Sequence, residues 1–208
     1  MRIIEPSVEI LTPIDGEGIL KMLEVVGRTC YKSEDKIQEG SAEKFISNIV
    51  KRGHEAVIEH YNITVKFICD RGVTHEIVRH RLASYCQEST RYCNYANDKF
   101  NGEITVIKPM FLEVGTDGWE LWYDACAMAE KLYFDLLDFG CTPQEARAVL
   151  PNSLKTELVM TANIREFRHF FNLRCSKAAH PQMREVANML LREFKERIPV
   201  LFDDIEGM

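Results

Sequence analysis

The stretch from Arg79 to Tyr92, RHRLASYCQESTRY, constrains this chain more than any other. It gathers Arg79, Arg81 and Arg91 with the imidazole of His80, hydroxyl residues and tyrosines, in a chain whose formal net charge is −6. A guanidinium is a planar fork of donors that keeps its charge, so burying one requires a carboxylate or another anion to meet it. A fold containing this stretch must leave it at a solvated helix end or gather it around an anionic ligand. The overall acidity argues against nonspecific nucleic-acid binding, which needs a basic face that neutralises phosphates. An anion here would be held by the local cluster, not by the field of the whole chain.

With 208 residues, 46% hydrophobic and 28% charged, the chain reads as one globular domain, 1–208, long enough to bury roughly 70% of its unfolded surface. The cysteines at 30, 69, 86, 93, 126, 141 and 175 form no CxxC. That fits neither a zinc knuckle nor a redox pair, and scattered reduced thiols point to a cytoplasmic protein. No apolar run approaches a membrane span, and MRIIEPSVEIL is unlike a signal peptide.

Periodicity predicts an α+β fold, a mixed sheet of a few strands with several packed helices. Strands are expected over 2–11, 61–69, 104–107 and 154–164. Helices are expected over 18–30, from an N-cap at Ser41 to a stop at Gly53, and over 71–82, 117–139, 143–150 and 166–173. A last amphipathic helix runs through Met183, Val186, Leu190, Phe194 and Ile198. Residues 83–95 are expected to be irregular, and the acidic tail after Pro199 loose.

Several motifs fail on inspection. Gly16-Glu17-Gly18 opens like a dinucleotide fingerprint, but Lys21 stands where the third glycine belongs, and no GxxxxGK[ST] is present. In HEAVIEH, from His54 to His60, the imidazoles would lie about 240° apart around a helix axis, so a turn is expected there and no metal. Cys86 and Cys93 have cationic neighbours that could activate a thiol, yet no paired base stands at recognisable spacing. Small half-buried thiols are the simpler reading. Ser89 likewise lacks a base and is read as a binding group.

Arg79-His80-Arg81, then seven residues, then Ser89 with Arg91-Tyr92 following, resembles the motif of the flavin-dependent thymidylate synthases. The resemblance extends to Gly53-His54-Glu55 with Glu59-His60, and to Arg147 with Val149-Leu150-Pro151. It continues through Asn163-Ile164-Arg165, His169-Phe170 and Asn172-Leu173-Arg174, covering about Gly53 to Ala187. It implies an FAD-dependent methyltransferase that converts dUMP to dTMP. The carbon would come from methylenetetrahydrofolate and the hydride from FAD reduced by NADPH, giving tetrahydrofolate. It also implies a homotetramer with active sites shared between subunits.

By the same resemblance, Arg79, His80, Arg81, Gln87, Asn163, Arg165 and His169 would hold FAD. Glu76, Arg79, Gln87, Glu88, Ser89, Arg91, Arg147 and Arg174 would bind dUMP, Arg147 from a neighbouring subunit. Arg174 is the expected catalytic group: a guanidinium on the uracil edge stabilises an anion at N3 and raises electron density at C5. On a helix, Arg79 and Arg81 would lie about 200° apart and face different ligands. The chain departs from the family pattern in places. Cys86-Gln87 stands where Asn-Glu is common, with the acid displaced to Glu88, so Gln87 keeps hydrogen-bonding capacity without the charge. Glu76 replaces a frequent Gln, Ala56 a frequent hydroxyl residue, and the segment 175–182 runs slightly long.

Overall fold

Pro6 has no N–H to give a sheet ladder, and the stretch expected as one strand divides there into β1 (Arg2–Ile4) and β2 (Ser7–Ile10). The structure, a computed structural model, describes residues 1–207. Asp15 caps α1 (Gly16–Tyr31) by accepting the Gly18 N–H at 3.1 Å. At α2 (Ser41–Lys51) the expected cap is displaced by one residue: Gly40, at φ +76°, takes that position. Ser41 turns its hydroxyl to the buried Glu24 carboxylate instead.

Two strands of nine residues each organise the sheet, β3 (Asn62–Asp70) and, later in the chain, β6 (Lys155–Asn163). Both alternate as a half-buried strand should, with Ile63, Val65 and Phe67 inward on the first and Leu158, Met160 and Ala162 on the second. Each ends on an Asx residue that caps a helix. Asp70 Oδ1 accepts the Val73 N–H at 2.7 Å and starts α3 (Arg71–Ile77). Asn163 Oδ1 accepts the Glu166 N–H at 2.8 Å and starts α6 (Ile164–Arg174). A capping carboxylate or amide satisfies an orphan helix donor, so the chain switches from extended to helical within one residue.

Between these strands lie β4 (Ala83–Gln87), β5 (Thr105–Ile107), α4 (Asp117–Asp138) and α5 (Pro143–Ala146). After α6 come α7 (Pro181–Arg197) and α8 (Pro199–Phe202). One sheet has the order β2-β3-β6-β4, and β1 pairs with β5 in parallel, Ile3 opposite Val106. The class is α+β, as the periodicity predicts.

Three expectations need correction. α3 stops at Ile77, short of residue 82, so the helical separation of Arg79 and Arg81 does not apply. Leu82 has left-handed backbone, φ +62°, and the Tyr85 hydroxyl donates to the His80 carbonyl, which ties that segment in a non-helical path. Residues 83–87 form β4 where irregular chain was expected. The tail is not loose: Leu201, Phe202 and Ile205 are buried, and Asp204 receives two hydrogen bonds from Arg168 at 2.8 and 2.7 Å.

The chain gathers into two compact units. The first comprises 1–7, 67–79 and 86–158, the second 8–66, 80–85 and 159 onward, so the division falls inside β3, β4 and β6. In the first, Tyr95, Ile104, Val106, Cys126, Tyr133 and Leu154 are buried together, with the Tyr95 and Tyr133 rings edge-to-face at 5.6 Å. The core of the second is aromatic. Phe167, Phe171, Phe194 and Phe202 stack or meet edge-to-face at 5.0 to 6.2 Å.

Candidate active site

The second unit carries a chain of polar contacts rooted in that aromatic core. His80 is buried, and Glu166 Oε1 lies 3.2 Å from its Nδ1. Arg174, at the C-terminal end of α6, donates its Nε–H to His80 Nε2 at 3.0 Å. The Phe170 and His169 rings close on the imidazole edge-on, at 5.0 and 5.5 Å. Burial first, then the Arg174 and His169 charges, push the His80 imidazole down to about 4. Its contact with Glu166 is therefore a hydrogen bond with a neutral ring, not an ion pair. Burial also raises the Glu166 carboxyl, against the pull of His169 and Arg165.

Glu166, His80 and His169 offer ligand atoms within 4.8 Å of one another. They do not suit a metal as they stand, because the acceptor nitrogen of His80 already faces a guanidinium. A cation there would meet a like charge.

Arg165, Asn163 and His169, three of the residues expected to hold the flavin, line a cleft of about 380 Å³ with Glu55, Glu59 and Leu82. Arg165 is exposed and forms ion pairs with Glu55 at 3.1 Å and with Glu59. Asn163 Oδ1 is engaged as the helix cap, leaving the amide N–H₂ as the group that could reach a ligand. Arg81, in the same unit, is exposed. The donors of Arg165, His169 and Asn163 fit the oxygens of a dinucleotide cofactor, and the paired carboxylates fit its hydroxyls. The cleft volume suits one portion of such a molecule.

Apart from Arg174, which lies in the second unit, the residues expected on the nucleotide are in the first. Ser89 opens a tight turn, its carbonyl accepting the Tyr92 and Cys93 N–H groups and its Oγ the Arg91 N–H at 3.3 Å. Arg91 projects from that turn over the Tyr92 ring at 5.5 Å. Arg147 donates to Thr90 Oγ1 at 3.2 Å, which sets it beside the Ser89–Arg91 turn of its own chain. Arg79 is exposed and Glu76 half-buried. Among the described residues, no carboxylate lies within ion-pair distance of Arg79, Arg81, Arg91 or Arg147.

Gln87 is committed elsewhere: its Nε2 donates to buried Thr74 at 3.0 Å and, at 3.4 Å, to Thr156. Glu88 accepts from Lys155 at 3.1 Å. Burial alone would lower Lys155, but its hydrogen bonds to Glu157 and Glu88 outweigh that and raise it, so the amine is held as a cation. The thiol readings gain nothing, since burial pushes Cys93 up, away from a thiolate. In HEAVIEH, residues Glu55–His60 form a 3-10 turn, with His54 Nδ1 2.7 Å from the Tyr31 hydroxyl.

Glu166, Tyr85, Lys155 and Thr74 were missed by sequence reasoning. Only Glu166 left a local signal: Asn163 followed three residues later by an acid is a capping-box pattern, which marks a helix start and not a site.

A family described as Thymidylate synthase complementing protein matches residues 15–200. A flavin-dependent thymidylate synthase of Pyrococcus furiosus is 36% identical over 172 residues, covering 82% of this chain and 70% of that protein. One from Corynebacterium glutamicum is 32% identical over 219 residues, covering 97% of this chain and 85% of its own. A solved UMP/dUMP methylase, PolB from Streptomyces cacaoi bound with 5-Br dUMP, shares the fold. Its TM-score is 0.77 over 98% of this chain and 96% of that one, at 23% identity.

Proposed function

This chain belongs to the Thymidylate synthase complementing protein family, the flavin-dependent thymidylate synthases, and we propose that it makes dTMP from dUMP by reductive methylation. Methylenetetrahydrofolate is the carbon donor and tetrahydrofolate the folate product. FAD, reduced by NADPH, supplies the hydride when bound. The observation that carries the residue roles is the anchored Arg174, whose Nε–H is fixed on the buried His80.

An anchored guanidinium suits the uracil edge, where it favours loss of the N3 proton and stabilises the charge that appears there. That charge enriches C5, the position that takes the new carbon, without a covalent thiol. Ser89, Arg91 and Arg147 bind the nucleotide, with Arg79 and the polar groups of Glu76, Gln87 and Glu88 completing its surroundings. The guanidiniums that have no carboxylate partner are the ones a phosphate would satisfy. Arg81, Arg165, Asn163 and His169 hold the flavin, with Arg79 reaching both ligands.

The proposal includes a single domain spanning 1–208, a cytoplasmic homotetramer and active sites shared between subunits. Exposed apolar residues on α4, Leu121 (73% exposed) and Met128 (55%), are the kind of surface an assembly would cover. No helix among the described residues is long and apolar enough to cross a membrane.

The deciding experiment is a visible absorption spectrum of the purified protein, followed by tritium release from C5-labelled dUMP. A yellow protein whose tritium release requires both folate and NADPH is expected. A colourless protein that ignores added FAD overturns the proposal.

A further inference from the structure

The geometry points to Glu166 as a positioning residue: through the His80 imidazole it fixes the tautomer that anchors Arg174. The inference rests on the reading of Arg174 given above, and it concerns a residue no motif assigns to the site.

Donor and acceptor identity alone decides which nitrogen holds the proton. Arg174 Nε carries a proton that it can only donate, and His80 Nε2 receives it at 3.0 Å. His80 Nε2 must therefore present a lone pair. A neutral imidazole then carries its proton on Nδ1, and among the described residues that proton has one recipient in reach, Glu166 Oε1 at 3.2 Å. This tautomer is the minor one for a free imidazole in water, so something must hold it. A carboxylate accepting from Nδ1–H does so. Without it the ring reverts to Nε2–H, two N–H groups face each other, and Arg174 loses its anchor.

The surroundings leave the ring little alternative. The His80 side chain is 2% exposed and that of Glu166 is 11% exposed. Phe170 and His169 flank the imidazole, and the Tyr85 hydroxyl pins the His80 carbonyl at 2.7 Å. Glu166 is itself placed by the Asn163 cap, which receives its backbone N–H. In a usual capping box the acid at this position reaches back to the cap residue's own N–H. Here its carboxylate goes to His80. The depressed imidazole agrees with this arrangement, since a protonated ring would confront the guanidinium.

The test uses the full chain, with ¹⁵N-labelled histidine and NMR at neutral pH in the flavin-free protein. Native His80 should show a protonated Nδ1 and an unprotonated Nε2. Glu166→Leu should shift it toward Nε2–H and lower kcat about 10–100-fold, while flavin content and the KM for dUMP stay within about twofold. Glu166→Gln, which can still accept from Nδ1–H, should keep the tautomer and recover most of kcat. An Nε2–H tautomer in the native protein overturns the inference whether or not Glu166→Leu folds. So does an unchanged tautomer in Glu166→Leu, or a loss confined to KM. If the native tautomer is as stated but the native protein does not turn over dUMP, the functional reading fails and the inferred link to catalysis falls with it. Turnover of dUMP with the wrong tautomer sinks the positioning role alone.

Discussion

Arg174 and Arg91 are the same side chain in opposite circumstances. Arg174 is half-buried, its Nε–H fixed on a buried imidazole whose far side is held by a buried carboxylate. Arg91 is exposed, leaning on Tyr92 at the end of a tight turn. The first has its orientation set by the protein before any ligand arrives. The second keeps its charge in water. A group that stabilises charge in a transition state benefits from fixed geometry, whereas a group that captures phosphate needs only to be present and charged. The two regions should therefore fail in different kinetic parameters.

The largest effect is expected at the anchored end. Arg174→Ala should lower kcat by about 10²–10³-fold, with the flavin spectrum retained. If instead flavin is lost and chemistry returns on reconstitution, Arg174 belongs with the binding arginines and the contrast collapses.

The anchored region should also respond to acid. The His80 imidazole falls from its usual 6.5 to about 4 in the folded chain. Between those values the unfolded chain binds more protons than the native one, so stability falls as pH drops through that window, by about 3 kcal/mol in all. The groups facing the ring are Glu166, His169 and Arg174 from α6, and Tyr85 from β4, whose hydroxyl burial pushes up to about 12 and keeps neutral. Glu166 acts in the reverse sense: its raised carboxyl takes up a proton more readily in the native chain, which returns stability as pH falls. Urea unfolding between pH 7 and 4.5 should show native stability falling with pH, His80→Gln losing much of that slope and Glu166→Gln steepening it. A native protein no more acid-sensitive than His80→Gln breaks this account.

How legible these regions were in the sequence also differs. The exposed arginines were named by their motif, because residues on one turn are spelled out locally. The β3 and β6 strands and the α4 and α7 helices were legible from periodicity. The relay was not, since His80 and Glu166 stand 86 residues apart and nothing near either one points to the other. β4 was missed because the residues ASYCQ alternate only weakly in polarity and none of them is fully buried, and its neighbour β6 stabilises it from outside the local sequence. The C-terminal helix was missed because Asp203 and Asp204, set between the buried Leu201-Phe202 pair and Ile205, make the tail read as acidic. What makes that tail ordered is Arg168, a partner 36 residues upstream.

The smallest effects belong to the waiting charges. Arg91→Ala and Arg147→Ala should each raise the KM for dUMP about tenfold, or about 1.4 kcal/mol, with kcat nearly unchanged. Native KM should rise with added salt, because these guanidiniums are exposed and screened, and each variant should show a weaker salt response. Arg147 sharpens the point further. Its hydrogen bond to neutral Thr90 is a single contact at 3.2 Å, easily exchanged for a phosphate, so it can serve either its own turn or that of a neighbouring subunit. Mixing Arg147→Ala with Arg174→Ala chains separates the two. If sites are shared, a chain with intact Arg174 borrows Arg147 from its neighbour, and a component with native KM returns. If the mixture keeps only the raised KM, Arg147 acts on the Ser89–Arg91 turn of its own chain, and the shared-site reading fails while the contrast between anchored and waiting arginines stands.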